Sequence, residues 1–185
     1  METILHLDHF LFHFINHTLQ NRFFDLVCPV IRNDKFLYLV YILICLRVYQ
    51  LFPQHFVKIL AVGAVTFLLT DQLSSAFIKP YFHRLRPCNN PAMQARLVIE
   101  YCGVGYSFVS SHAANTAGIA TLLFSLALNR LTAGLILGTW VFAVCLSQVY
   151  VGVHYPVDVM VGTTLGMTIG AGTGMVLKRW TGNKI

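Results

Sequence analysis

The sequence predicts an all-α integral membrane bundle of about five transmembrane helices, with an N-terminal amphipathic helix at the interface. Composition is the first reason. Of 185 residues, 56% are hydrophobic and 11% charged, whereas soluble domains carry roughly a quarter charged residues. The second reason is that the apolar residues gather in runs close to the ~20 residues a helix needs to cross a bilayer. Length predicts one domain, residues 1–185, with an interfacial segment 1–34 and a membrane core 35–185. Met1-Glu2-Thr3 opens the chain with no charged n-region, so no cleaved signal peptide is expected.

Within the first 34 residues, Leu7, Phe10, Leu11 and Phe14 recur at spacings of three and four, as in an amphipathic helix. Its apolar stripe is expected to lie in the interface. His6, Asp8, His9, His13, Asn16 and His17 fall between and are read as a wet face, not a metal site. A short apolar piece then stops at Asn33-Asp34. The spans follow at about 36–52, where Arg47 can snorkel, then 56–82, 110–128, 131–151 and 156–177. The last carries Gly162, Gly166, Gly170 and Gly174, a stripe that lets a helix approach closely. It serves packing within the fold or a homo-oligomer contact.

Five spans put the termini on opposite sides. Lys178, Arg179 and Lys184, with Arg47, Lys58 and Arg130, mark one side as cytoplasmic. Lys79, His112 and His154 then face outward together. Arg84, Arg86 and Arg96 lie on that outer side against the usual bias, which points to an anionic ligand. The net charge of +6 sits largely at the ends of apolar runs. Lipid headgroups or a phosphate are therefore the expected partners, and nucleic acid is not.

Three stretches carry chemistry. Asp71, Ser75 and Lys79 are four apart on one helix face, and Arg86-Pro87 follows. A compact ammonium and a guanidinium fork suit the oxygens of one phosphate. Ser110-Ser111-His112 opens the third span, where free N–H groups and the helix dipole favour an anion; Asn115 lies one turn on. His154 and Asp158 are four apart beside Pro156 at a helix start. A carboxylate on one ring nitrogen fixes the tautomer and leaves the other as nucleophile or base. Axial haem ligation by His83, His112 or His154 is the rival reading, but it needs neither Lys79, Arg86 nor Asp158.

Together these residues resemble the signature of the type 2 phosphatidic acid phosphatase superfamily. Its Lys-x6-Arg-Pro is met by Lys79, Arg86 and Pro87; its Pro-Ser-Gly-His by Val109-Ser110-Ser111-His112; its Ser-Arg-x5-His-x3-Asp by Ser147-Gln148, His154 and Asp158. The resemblance implies a metal-independent membrane phosphatase without cofactor, located in the bacterial inner membrane with its site on the extracytoplasmic face. His154 is then the nucleophile that forms a phosphohistidine, His112 the proton donor and Asp158 the residue that holds His154. Lys79, Arg86 and the backbone around Ser110 and Ser111 hold the phosphoryl oxygens. Undecaprenyl diphosphate, phosphatidylglycerophosphate, phosphatidic acid and lipid A phosphate are the substrates it brings.

The chain departs from that pattern in three places. Val109 replaces Pro, Ser111 replaces Gly, and Gln148 replaces a phosphate-binding Arg. Removing one such donor typically costs about 100- to 1000-fold in rate. Arg84 is the first expected substitute for the missing charge. A substrate with less charge, or a weak or inactive relative acting as a phospholipid or polyprenyl-phosphate carrier, are the alternatives. None of the five cysteines forms a CxxC pair. Outside the cytoplasm Cys88 and Cys102 have two open states, free or bridged. A bridge would close a loop of about 15 residues, worth roughly 3 kcal/mol in the chain-entropy model.

Overall fold

A computed structural model describes residues 2–127 and 129–182; Lys184 and the expected end of the third span at Leu128 lie outside them. Helix α1 (Glu2–His13) passes through a π-helical turn (Phe14–Thr18) toward α2 (Arg22–Ile31). Then come α3 (Asp34–Leu51) and α4 (Phe56–Gln72), which continues through a second π-helical turn (Leu73–Ile78) into α5 (Lys79–Phe82). A long loop leads to α6 (Ser111–Ser125), α7 (Arg130–Tyr150) and α8 (Pro156–Trp180). Asparagine side chains start three of these helices: Asn21, Asn33 and Asn129 accept the N–H groups of Phe24, Lys35 and Thr132.

Among the described residues, three segments are long and apolar enough to cross a membrane: Pro53–Asn89, Arg130–Tyr150 and Pro156–Trp180, with mean hydropathies of 1.6, 1.7 and 1.3. Helix α3 includes Asp34, Lys35 and Arg47 in its 18 residues, and α6 has only 15. The expected count of five spans is thus met by three segments on length and composition.

Helix α6 is the axis of the bundle. Ala113, Ala114 and Ala117 are fully buried, and α8 lies directly against them. A Cβ on Gly162 would sit 2.6 Å from the Ser110 carbonyl oxygen, and one on Gly166 or Gly170 would strike the carbonyls of Ala114 or Gly118. Of the two roles expected of the glycine stripe, packing within the protomer is the one these contacts fill. Apolar side chains close the two ends. Phe12, Met93, Val149, Tyr155 and Val159 gather at one, and Val48, Ile59, Val62, Leu122, Leu126 and Leu177 at the other. At the second end Lys58 donates to the Trp180 carbonyl and lies over its ring, so the start of α4 and the end of α8 share a side.

Helix α1 keeps its apolar stripe outward, as expected, but its polar face is not left to water. Leu7, Phe10 and Phe14 point away from the protein, while Asp8, Phe12 and Asn16 are buried against it. Asp8 and Asn16 are four-residue neighbours of Phe12, so one face carries all three. The face read as wet is the protein-facing one. Asn16 donates to the carbonyls of Arg96 and Tyr150, at 2.9 and 2.7 Å, and accepts the Arg96 N–H. The apolar stripe on the far side suits a bilayer interface, where lipid replaces water as the surrounding medium.

Candidate active site

Lys79, Arg86, Ser111, His112, Gln148 and His154 all line one cavity of about 620 Å³. The three sequence stretches therefore meet, and each is placed by a local cause.

The second π-helical turn aims Lys79. A π turn brings residues five apart onto one face, so Ser74 and Lys79, rather than Ser75 and Lys79, point the same way. Both donate to the Ser111 hydroxyl at 2.9 Å. Ser75 instead turns back to Asp71, whose carboxylate also accepts from Asn115. Asn115 in turn accepts from Thr70 at 2.7 Å. Arg86 is held by the carbonyls of Val104 and Gly105. Its loop is closed by a disulfide between Cys88 and Cys102, with Cα atoms 5.8 Å apart.

Ser110 caps α6, accepting the Ala113 N–H, and its own N–H donates to the Asp158 carbonyl at 3.1 Å. With side chain and N–H both engaged and the residue fully buried, Ser110 does not line the cavity and instead joins the second and third stretches. Ser111 occupies the first helical position, away from the left-handed region that would demand Gly.

His154 lies in the loop between α7 and α8, its N–H directed at the Gln148 carbonyl. Asp158 caps α8 by accepting the Tyr155 N–H at 2.9 Å. The same carboxylate stands 3.5 Å from His154 Nδ1. The approach is electrostatic, and Nδ1 closes no hydrogen bond. Burial pushes the imidazole down to about 4, opposed by Asp158 and reinforced by Arg86 and Lys79. His154 is therefore neutral at pH 7, with the lone pair a nucleophile needs.

Arg84 does not enter the cavity. Its guanidinium bridges Asp8 and Asp158, at 2.6 Å from the latter, and stacks 3.8 Å above the Tyr155 ring. The cation expected to replace the missing charge at Gln148 instead neutralises the carboxylates behind His154. Arg96, also expected near an anion, pairs with Asp25 at 2.7 Å. Gln148 is fully buried at the cavity, and neither end of its amide has a partner.

The family model of the PAP2 superfamily matches residues 56–182. This chain belongs to the PAP2 superfamily. It is 30% identical over 179 residues to a protein named lipid A 4'-phosphatase from Porphyromonas gingivalis, covering 92% of this chain and 72% of that one. A protein of the same name from Bacteroides thetaiotaomicron is 35% identical over 106 residues, 56% of this chain and 47% of its own. The fold is shared with Aquifex aeolicus LpxE, at TM-score 0.67 and 21% identity over 88% of this chain and 92% of that one. It is also shared with the PAP2-type phosphatidylglycerolphosphate phosphatase of Bacillus subtilis, at TM-score 0.72 and 19% identity over 100% and 89%.

In this PAP2 chain three residues that the sequence did not single out reach the site from outside the matched segment. Asp34, at the start of α3, stands 3.1 Å from His112 Nε2. Arg32, at the end of α2, lines the cavity. Asp8 holds Arg84 and also accepts the Val157 N–H at 2.8 Å.

Proposed function

We propose that this chain is a metal-independent membrane phosphatase that removes a phosphate from a lipid headgroup. The carrying observation is that His112 and His154, from separate segments, open with Lys79, Arg86 and Ser111 on one cavity. His154 Nε2 attacks phosphorus, the N–P bond forms and the ester P–O bond breaks. His112 gives its proton to the departing oxygen. Water then attacks phosphorus, His112 takes up its proton, and the N–P bond breaks to release phosphate. Positioning and charge stabilisation are what such a transfer chiefly needs.

A lipid substrate is supported by what adjoins the cavity. A pocket of about 210 Å³ runs from Ser111 and His112 to Tyr41 and Phe67. Those two rings also line an apolar groove between α3, α4 and α6 that includes Ile44, Val48, Ile59 and Leu122. Headgroup and acyl chain each find a matching lining. The names of the two relatives make lipid A phosphate the first substrate to try, ahead of phosphatidic acid, phosphatidylglycerophosphate and undecaprenyl diphosphate. In the membrane, α3, the α4–α5 run, α6, α7 and α8 cross, the cavity faces outward from the inner membrane, and the end carrying Lys58 and Lys178 faces the cytoplasm.

The second reading, a carrier without chemistry, rests on the neutral Gln148. One experiment separates the two. Purified protein with EDTA throughout is given each lipid, and phosphate release and an acid-labile, base-stable phosphoenzyme are followed. Release and phosphoenzyme are expected in the parent, and both vanish in His154→Ala. His112→Ala slows release by about 100- to 10,000-fold, the usual worth of general acid catalysis. Lipid binding without release in the parent would favour the carrier.

A further inference from the structure

The phosphatase reading leaves a charge unaccounted for. Gln148 stands where the family motif has Arg, and Arg84 is occupied behind His154. Besides His154 Nδ1, which faces Asp158, two side chains on the cavity have buried polar atoms without a partner among the described residues. Both amide atoms of Gln148 are buried without a partner, and so is Arg32 Nε. Arg32 forms no salt bridge among the described residues. It arrives from α2, ahead of the residues that the family model matches.

On that reading, we propose that Arg32 is a third phosphate-binding cation of this site and supplies the charge that Gln148 lacks. A guanidinium is a planar fork suited to two oxygens of one phosphoryl group. The neutral Gln148 amide donates one hydrogen bond to the same group. Arg32, Arg86 and Lys79 then surround a dianionic phosphomonoester from three directions: the end of α2, the loop after α5 and the start of α5. Asp34 and Glu100 also line the cavity, but Asp34 is engaged with His112. Burial lowers the Arg32 pKa from its ordinary value while Asp34 raises it, and a guanidinium remains charged through neutral pH.

The test measures kcat/KM on the best lipid substrate, and orthovanadate binding by calorimetry, in Arg32→Gln, Arg32→Lys and the double variant Arg32→Gln/Gln148→Arg. Arg32→Gln is expected to lose about 100- to 1000-fold in kcat/KM and to weaken vanadate in parallel. Arg32→Lys retains much of the vanadate affinity, and the double variant recovers most of kcat/KM. A merely structural arginine would not be replaced by one placed on α7. If Arg32→Gln stays within about threefold of the parent in both readouts, or loses kcat/KM with vanadate binding unchanged, the assignment is overturned. A folded double variant no better than Arg32→Gln also overturns it. A parent that binds vanadate through Arg32 yet releases no phosphate from any lipid would sink the hydrolase reading and leave Arg32 in place.

Discussion

The two histidine–aspartate pairs at the cavity are built on opposite terms. His154 and Asp158 are 2% and 0% exposed, one helical turn apart, with the carboxylate fixed by the Tyr155 N–H and Arg84. His112 and Asp34 are 26% and 71% exposed and come from residues 78 apart in sequence. Sealing keeps an imidazole neutral and aimed. Exposure lets an imidazole exchange its proton with water. The pair suited to attack is thus the dry one, and the pair suited to proton transfer is the wet one.

The largest break in that contrast is Asp158→Asn. An amide beside Nδ1 can support the wrong tautomer, and Arg84 loses one of its two carboxylates. Activity is expected to fall by about 10,000-fold, the scale seen when a buried triad aspartate becomes asparagine, with phosphoenzyme formation failing first in single-turnover assays. The corresponding change in the wet pair, Asp34→Asn, is expected to lower kcat by only about fivefold, because exposed ion pairs contribute at most about 1 kcal/mol. Equal losses in the two variants would erase the distinction.

The smallest effect near neutrality is on pH. With His154 held at about 4, the acid limb of kcat/KM is expected near pH 4 rather than 6.5, falling tenfold per unit below it. The stability sign is the same. An unfolded histidine takes up its proton near 6.5 while the folded one stays neutral, so the native state loses stability as pH drops from 6.5 toward 4, by roughly 3 kcal/mol in full. A pH series of activity and melting temperature, set against His154→Gln, checks both. An acid limb at 6.5 would mean that the ring is wetter than its 2% exposure implies.

The matched core of the bundle was readable because its signals are local. Apolar run length gave α7 as 131–151 against Arg130–Tyr150, and α8 as 156–177 against Pro156–Trp180. Lys79, Arg86, Ser111, His112, His154 and Asp158 announced themselves by spacing. The N-terminal contribution was hidden because it is made at long range. Nothing near Asp8 in sequence hints at an arginine 76 residues on, nor anything near Asp34 at a histidine 78 residues on. Periodicity found the apolar stripe of α1 and its interfacial place, but not that the polar face opposite meets protein rather than water. A buried-looking aspartate on the far side of such a stripe was the available clue. The π-helical turn at Leu73–Ile78 was equally silent: the four-residue spacing of Asp71, Ser75 and Lys79 favoured a regular helix, and one extra residue in the turn exchanged Ser75 for Ser74.

The glycines of α8 have a reach beyond their own helix. Because residue 162 has no side chain, the strand of backbone at Ser110 can lie flush against it and pass its N–H to the carbonyl of Asp158. That single amide is the gauge between the segment bearing one imidazole and the segment bearing the other. The relative position of the two imidazole rings is accordingly machined by an absent methyl group, well away from either.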